Sequence, residues 1–220
     1  MSLHHGSVTM SLYDDHDEII KSIMLYKNAL FVSQENLPTF TRKKMKKLSL
    51  RELKRLSPAD FKKQAKTPIV LVLDNIRSGH NVGSAFRTAD AFALEKIHLC
   101  GITVQPPHRE ILKTAIGATE AVDWAYHAST VELIRQLKKE GIKVVAVEQA
   151  DQSILLQDFQ IEKNEKIALI FGNEVKGVSD EVMAEVDDCI EVPQFGTKHS
   201  LNISVCVGVV VWDLFRKIEY

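Results

Sequence analysis

The sequence is poor in the features that would build a disulfide scaffold, a metal site or a membrane anchor. It has three cysteines in 220 residues, all in apolar surroundings and without the spacing of metal ligands. The most apolar stretch, Leu201–Trp212, is too short to span a bilayer. No apolar segment follows a basic start at the N-terminus, so we expect no signal peptide. Buried, reduced thiols are typical of reducing compartments, and we therefore expect a cytoplasmic protein.

Two glycine-containing loops fall short of the common nucleotide-binding fingerprints. Gly79 and Gly83 do not have the spacing G-x-G-x-x-G, which disfavours a nicotinamide site or an ordinary Rossmann methyltransferase site. Gly172 and Gly177 have the glycine spacing of the phosphate-binding loop G-x-x-x-x-G-K-[ST], but Val178 stands where that loop requires a lysine. Without the lysine ammonium the loop lacks a phosphate contact, so nucleotide hydrolysis is disfavoured.

The net charge of −1 says nothing about partners by itself, but its distribution does. Residues 41–66 contain eleven Lys or Arg against two acidic residues, a balance of +9, so the remainder of the chain carries −10. We interpret 41–66 as a basic, helical arm, in which Ser57 and Pro58 are typical of a helix start. Such an arm is either a solvated surface or a contact for nucleic-acid phosphates. Residues 1–40 are predicted to be a peripheral extension.

From Thr67 onward, apolar strands alternate with amphipathic helices, which predicts an α/β fold with a mostly parallel sheet and helices on both faces. We assign residues 67–220 to this domain. The strands are expected at 68–74, 96–101, 122–127, 142–149, 166–172 and 189–192. The helices are expected at 81–92, 108–118, 130–139 and 180–186, with Asn81 as the N-cap of the first.

The stretch 192–217 combines a polar loop with an apolar element. Pro193 and Gly196 are typical of turns and of close backbone approach to a ligand. For Leu201–Trp212 the β-branched residues favour a strand, whereas the length and the charged end favour a buried helix, and physical reasoning leaves that choice open.

Two side chains that follow predicted strands, one on a helix and one in a loop, are candidates for ligand binding, because open α/β sheets bind ligands beyond the carboxyl ends of their strands. Arg87 lies between Phe86 and Ala89 on the first predicted helix, where a guanidinium suits a phosphate or carboxylate. Glu174 follows a buried strand in a glycine-flanked loop and could bind a ligand or orient an arginine.

Three stretches together resemble the SpoU (TrmH) class of SPOUT methyltransferases. Asn81–Arg87 is similar to the first family motif, Gly172–Gly177 to the second and Val192–Ser204 to the third, in the family's order, and the resemblance covers about 66–220. It implies a SPOUT fold with a deep C-terminal trefoil knot and a homodimer. It also implies S-adenosylmethionine-dependent methylation of a ribose 2′-hydroxyl in tRNA or rRNA.

The resemblance also assigns roles to residues of this chain, with no metal among them. The residues that it implies for catalysis are Arg87, Asn81, Glu174, Ser200 and Asn202. The residues that it implies for binding S-adenosylmethionine are Phe171, Gly172, Asn173, Val192, Pro193, Phe195, Gly196, Ser200 and Leu201.

Two questions stay open at the level of the sequence. A guanidinium with a pKa above ~12 is a poor base, so Arg87 either has a strongly lowered pKa or stabilises charge while another group, for which His80 and His199 are candidates, takes the proton. The alternative functions are a catalytically silent RNA-binding protein of the same fold and a SPOUT enzyme that methylates a base.

Overall fold

The computed structural model describes residues 21, 45–49, 52–53 and 55–219. The chain divides into two compact units, Met1–Leu53 and Lys54–Tyr220. In the first unit, Lys46 Nζ lies 3.0 Å from Glu52 Oε1, and the predicted extension of residues 1–40 lies almost wholly outside the described residues. The second unit holds all of the strands and helices considered below. Among the described residues, no helix is long and apolar enough to cross a membrane.

A seven-stranded sheet forms the centre of the second unit. Its strands are β1 (Thr67–Asp74), β2 (Leu94–Cys100), β3 (Trp124–His127), β4 (Lys143–Val147), β5 (Ile154–Leu155), β6 (Ile167–Phe171) and β7 (Asp188–Glu191). They lie in the order β3-β2-β1-β6-β4-β7-β5, and every pairing between them is parallel. The predicted α/β fold with a mostly parallel sheet is therefore confirmed.

Helices cover both faces of the sheet. They are α1 (Pro58–Lys63), α2 (Gly79–Ala91), α3 (Arg109–Ala115), α4 (Ala118–Ala121), α5 (Thr130–Lys139), α6 (Asp180–Met183) and α7 (Ile203–Glu219). Alternate residues of β1 point to opposite faces. Leu71 packs in one core cluster with residues of α2, α3 and α7, whereas Val72 packs in a second cluster with residues of α5.

The capping residues differ partly from those predicted. Ser57 caps α1 as expected, with its side chain accepting the Asp60 N–H and Pro58 in the first turn. Phe61 of this helix lies in the core, so this part of the predicted basic arm packs on the sheet domain. The prediction that Asn81 caps α2 was wrong. Ser78 is the cap, because its hydroxyl accepts the Asn81 N–H and the helix begins at Gly79.

The apolar stretch after the polar loop is a helix. Asn202 caps α7, since its Oδ1 accepts the Ser204 N–H at 2.9 Å, and its carbonyl accepts the N–H of Val205 and of Cys206. Val207, Val210 and Leu214 are fully buried against the sheet. These side chains recur every three or four residues, so they share the face that packs on the core.

Candidate active site at the carboxyl ends of the central strands

A cleft of about 870 Å³ lies beyond the carboxyl ends of three adjacent strands, β6, β4 and β7. Residues that follow each strand line it, including Gly172 after β6, Glu148 after β4 and Val192 after β7. The start of α7 closes another side through Asn202 and Ile203. This is the place where ligands bind in open parallel sheets.

The Glu174 carboxylate joins the loop after β6 to the start of α2. Oε2 accepts the backbone N–H of Arg77 at 3.1 Å, and Oε1 accepts that of Ser78 at 3.0 Å. Oε1 also accepts the Asn81 side-chain amide at 3.1 Å. Partial burial acts to raise the pKa of Glu174, but these donors outweigh it and hold the pKa below its usual range. The carboxylate is therefore the ionised centre of a fixed network.

Asn81 and Asn202 extend this network to the third motif. Asn202 Nδ2 donates to Asn81 Oδ1 at 3.3 Å, while Asn202 Oδ1 caps α7. Ser204 Oγ also donates to Asn202 Oδ1, at 2.6 Å. Residues from three distant parts of the chain, Glu174, Asn81 and Asn202, are thus connected through side-chain amides. The two asparagines have few alternative orientations, because both the nitrogen and the oxygen of each amide take part in a defined hydrogen bond.

Asn173 and Asn75 hold the same loop from the other side. Asn173 Nδ2 donates to the Asn75 carbonyl at 2.7 Å, and Asn173 Oδ1 accepts the N–H groups of Val175 and Lys176. Asn75 has φ = 58°, a left-handed conformation that asparagine tolerates better than most residues. Its Oδ1 accepts the Ile102 N–H, which ties this turn to the loop after β2.

The glycines of the second motif are required by close packing within the loop. A Cβ on Gly172 would lie 2.2 Å from the Gly177 carbonyl carbon and 2.3 Å from the Val178 nitrogen, both of them backbone atoms. Gly177 has φ = +67°, and a Cβ there would lie 2.2 Å from Glu148 Oε2. The same Glu148 oxygen accepts the Val178 N–H at 3.0 Å. The loop is therefore closed on itself and fixed to the end of β4.

Most of the residues that the resemblance implies for binding a cofactor line this cleft. They are Phe171, Gly172, Asn173, Val192, Ser200 and Leu201. Pro193 instead lines a second groove beside α7, Phe195 is 97% exposed, and a Cβ on Gly196 would meet no atom within 4 Å. These three lie on the irregular segment between β7 and α7, which the structure leaves largely exposed.

The residues implied for catalysis are divided between two places. Glu174, Ser200 and Asn202 line the cleft, and Asn81 contacts two of them. Arg87 is exposed on α2 and lines a separate groove of about 460 Å³ with Lys113 and Gly208. Within one chain the structure does not bring Arg87 into the cleft. Of the two candidate proton acceptors, His199 lines the cleft and His80 Nδ1 lies 3.6 Å from Glu110 Oε2.

The charges around the cleft suit a cationic ligand with hydroxyl groups. Glu148, Asp151 and Glu191 line it together with a single lysine, Lys176, so carboxylates predominate among its described residues. Cys206 also lines it, and burial raises the pKa of this thiol to about 11, so it stays protonated and is a poor nucleophile at neutral pH. The cleft can bind and orient a ligand, but its cysteine is not an activated nucleophile.

Sequence reasoning did not single out Glu148 or Ser78, among other residues of this site. Glu148 fixes the second motif through Val178, and Ser78 caps the helix that presents Asn81. The predicted strand 142–149 included Glu148, whereas β4 ends at Val147, so the strand boundary hid the position of Glu148 at the ligand-binding edge of the sheet. Ser78 precedes the glycine-rich helix start and is a preferred N-cap residue type.

Comparison with known proteins places this geometry in a family. The sequence profile of the SpoU rRNA Methylase family matches residues 68–212. The chain is 29% identical over 150 residues to the 23S rRNA (guanosine-2′-O-)-methyltransferase RlmB of Neisseria meningitidis, covering 68% of this chain and 59% of that protein. It is 28% identical over 151 residues to the tRNA (guanosine(18)-2′-O)-methyltransferase of Borreliella burgdorferi, covering 69% and 67%. The fold is similar to that of the AdoMet-bound rRNA methyltransferase from Sinorhizobium meliloti, with a TM-score of 0.64, 29% identity and coverage of 76% and 62%.

The match does not extend over the whole of these relatives. The chain spans about three fifths of the length of this RlmB and of the RlmB proteins of two other bacteria.

Proposed function

Because the chain belongs to the SpoU rRNA methylase family, we propose that it is an S-adenosylmethionine-dependent RNA methyltransferase that acts on a ribose 2′-hydroxyl of tRNA or rRNA. Relatives are named as 2′-O-methyltransferases of 23S rRNA and of tRNA, which supports both the reaction and the two classes of substrate.

One observation carries the proposal most strongly. The hydrogen bonds of Glu174 to Asn81, and of Asn81 to Asn202, join the three motifs at the edge of the cleft. If each motif residue had only a separate structural role, the three residues would not need to contact one another. A network that orients side chains from three loops around one cleft is what a reaction requires, because catalysis depends on fixed geometry at the reacting atoms.

The residues that line the cleft fit S-adenosylmethionine. The volume of about 870 Å³ is in the range of small-molecule sites. Glu148, Asp151 and Glu191 supply carboxylates for a ligand that carries positive charge and ribose hydroxyls. Gly172 supports this fit, because its lack of a Cβ lets the loop backbone form one wall of the cleft.

When bound, S-adenosylmethionine supplies a methyl group on a positively charged sulfur, and a ribose oxygen can attack the carbon of that methyl group. The role of the protein residues is then to bind the cofactor, to orient the ribose and to accept the proton of its hydroxyl. Asn202 and Ser200 line the cleft and can orient the hydroxyl, while the network around Glu174 keeps Asn202 in place. Arg87 binds the phosphate beside the target ribose. His199 lines the cleft, and its imidazole is a type of group that can accept the proton of the hydroxyl.

A homodimer completes the proposal. The outer side of α7 exposes Val205 and Trp212, each 51% accessible, and Val209, 39% accessible. These residues line an apolar groove of about 630 Å³ with Leu156 and Pro193. A second copy of the chain would cover this surface, and exposed apolar patches of this kind commonly mark interfaces. The groove that holds Arg87 also contains Gly208 of α7, so the proposed interface is continuous with it.

The remaining parts of the proposal concern topology and location. We propose that the chain from Val192 into α7 forms the trefoil knot, which the position of β7 between β4 and β5 supports. The three cysteines are free thiols, and this supports a cytoplasmic location. The basic arm is proposed to contact RNA phosphates.

The decisive experiment is mass-spectrometric nucleoside mapping of RNA from cells with and without the gene. A single 2′-O-methylated nucleoside that disappears with the gene supports the proposal, and it also identifies the substrate. Loss of a base-methylated nucleoside would favour the base methyltransferase instead. No change in any nucleoside, together with RNA binding by the purified protein, would favour the catalytically silent alternative.

Calorimetry with S-adenosylhomocysteine tests the cofactor separately. Binding with a stoichiometry of one per chain is expected. No detectable heat with folded protein would contradict the assignment of the cleft.

A further inference from the structure

We propose that the groove between α2 and α3 binds the RNA backbone, and that Lys113, on α3, is a positioning residue that contacts a phosphate next to the one bound by Arg87. The groove has a volume of about 460 Å³ and is lined by Arg87 and Lys113 together with hydroxyl-bearing residues of both helices. The inference rests on the proposed function, because it takes RNA as the partner.

The spacing of the two helices places the two cations on one groove. A Cβ on Gly83 would lie 2.1 Å from Thr114 Oγ1 and 2.4 Å from the Ile111 carbonyl oxygen, so the absence of a side chain lets α2 and α3 touch. Arg87 lies four residues after Gly83, about one helical turn, and therefore on the same side of α2. Lys113 adjoins Thr114 at the same contact. The helix packing thus brings both cations to one groove.

The charge of the groove is complementary to a phosphate backbone. Among the described residues that line it, none is acidic. Within the described part of the chain, neither Arg87 nor Lys113 forms an ion pair, although several other lysines of the sheet domain pair with carboxylates. Two exposed cations without carboxylate partners keep their full charge for an external anion. In a protein whose net charge is −1, such a site is not explained by an excess of positive charge.

The hydroxyls of the groove suit the sugar that lies between two phosphates. Ser84 Oγ and Thr114 Oγ1 both donate to the His80 carbonyl, at 2.9 and 3.1 Å. Their protons are therefore used inside the protein, and their oxygens can accept a hydrogen bond from a ribose hydroxyl. Two cations that bind phosphates, together with oxygens that accept a hydrogen bond from a ribose hydroxyl, match an RNA strand, because DNA lacks the 2′-hydroxyl donor.

Lys113 is well suited to position RNA and poorly suited to chemistry. It lies in the Arg87 groove and not in the cleft that contains Glu174 and Asn202. Its contribution should therefore appear in the binding of RNA and its salt dependence, while the turnover of bound RNA and the affinity for the cofactor stay close to normal.

The test compares Lys113→Ala, Lys113→Arg and a matched control, Lys139→Ala. Lys139 is an exposed cation at the end of α5, on the opposite face of the sheet, so its replacement removes the same charge without touching the groove. The probes are unfractionated bacterial tRNA and total rRNA. Affinity is measured by fluorescence anisotropy or filter binding over a range of salt concentrations, and the KM for RNA, kcat and the Kd for S-adenosylhomocysteine are measured beside it.

Lys113→Ala is expected to weaken RNA binding on the order of tenfold and to make the log–log salt slope shallower by about 0.7 to 0.9. The KM for RNA should rise while kcat and the Kd for S-adenosylhomocysteine change less than about twofold. Lys113→Arg should restore most of the affinity, because a phosphate contact needs the charge. Lys139→Ala should behave as wild type, and a thermal melt should show all variants folded.

Two results would overturn the inference, and they are distinguishable from failure of the proposed function. If wild type methylates RNA but Lys113→Ala has the affinity and salt slope of Lys139→Ala, the groove does not bind the backbone and the proposed function survives. If Lys113→Ala instead lowers kcat with an unchanged KM for RNA, Lys113 acts in chemistry and the positioning role is wrong. If wild type binds neither RNA even at low salt, the inference and the proposed function fall together.

Discussion

Removing the Glu174 carboxylate should disconnect the second motif from the first without disturbing the core. Glu174 is exposed at its loop position, and its contacts run to Arg77, Ser78 and Asn81 at the start of α2. Glu174→Ala deletes all three hydrogen bonds. Glu174→Gln keeps the shape, but it removes the charge and turns one acceptor into a donor that faces backbone N–H groups.

The magnitude follows from the number and environment of these bonds. Hydrogen bonds to a charged group contribute about 1.5–3 kcal/mol each when well buried, but water can reach both backbone donors once the side chain is gone. We therefore take well under 1 kcal/mol for each deleted bond and expect Glu174→Ala to cost about 2 kcal/mol in total. For a domain of this size such a destabilisation lowers the melting temperature by about 4–8 °C. Glu174→Gln should fall between wild type and Ala, because it retains an acceptor.

The pH dependence has a defined sign. The pKa of Glu174 is lower in the folded protein than its ordinary value of 4.5, so the ionised carboxylate stabilises the native state above about pH 4.5. That contribution is lost as the pH falls through the folded pKa. The difference in melting temperature between wild type and Glu174→Gln should therefore be full at pH 7 and shrink progressively below about pH 4.5.

The assays are differential scanning calorimetry from pH 3 to 8, calorimetric titration with S-adenosylhomocysteine, and methyl transfer to RNA. Val175→Ala is the control, because Val175 is 80% exposed in the same loop and its side chain is not part of the network. Because Val175 also lines the cleft, the control applies to the melting temperature, which we expect to match wild type. We expect Glu174→Ala to lose cofactor affinity as well as turnover. A melting temperature within about 1 °C of wild type, with unchanged affinity and turnover, would refute the role of the Glu174 network.

Three further changes test other parts of the site. Arg87→Ala should nearly abolish methyl transfer while cofactor affinity stays close to wild type. Substantial turnover in Arg87→Lys would show that the positive charge suffices. Full activity in both variants would remove Arg87 from the mechanism. Changing the lysines of the segment 43–47 to Gln should make the salt slope of RNA binding shallower by somewhat under one unit for each phosphate that the arm no longer binds; an unchanged slope would show that the arm is only solvated. Gly172→Ala should lower the melting temperature and abolish binding of S-adenosylhomocysteine, because the added Cβ would clash with backbone atoms of the same loop. Gly196→Ala should leave the melting temperature unchanged. Equal melting temperatures for the two variants would contradict the packing argument.

The sheet could be predicted from the sequence because each of its long strands is buried on both faces. A strand of that kind is a continuous apolar run, as in Pro68–Leu73, and the pattern predicts β1 to within one residue of its observed start. β5 was missed, because two residues, Ile154 and Leu155, are too few to form a pattern. It exists because its backbone pairs with β7, a contact between distant parts of the sequence.

Helix boundaries depended on local chemistry that the periodic pattern does not contain. The predicted helix 108–118 ends in the structure at Ala115, and the short helix α4 begins only at Ala118, because Ile116 and Gly117 both adopt positive φ values, of 49° and 85°. Gly117 is a residue that favours this conformation, whereas Ile116 is not. The pattern of apolar residues continues across the break, so it could not reveal where the chain turns.

The site was predictable as a set of loops but not as a network. The rule that ligands bind at the carboxyl ends of parallel strands places Glu174 correctly. The bonds of Glu174 to Arg77 and Ser78 join residues 97 and 96 positions apart, and no local pattern encodes such a pairing. The separation of Arg87 from the cleft within one chain was equally hidden, although Arg87 lies six residues beyond Asn81 along α2.

The structure of the last helix, α7, explains why the sequence of Leu201–Trp212 alone did not decide between a strand and a helix. β-branched residues favour a strand whose faces are covered by helices. Here the segment is itself a helix, and it covers one face of the sheet. Val207, Val210 and Leu214 fill the core, while Val205, Val209 and Trp212 remain exposed on the other side. A helix that is apolar on two sides is not explained by one core alone, since these side chains on its second side stay partly exposed although Trp212 packs near Phe92. The polar start of the segment is explained by Asn202, which caps this helix and contacts Asn81 with the other end of its amide. One residue therefore ties the helix that carries the proposed dimer surface to the network at the cleft, so a change in the packing of that surface has a direct structural route to the site.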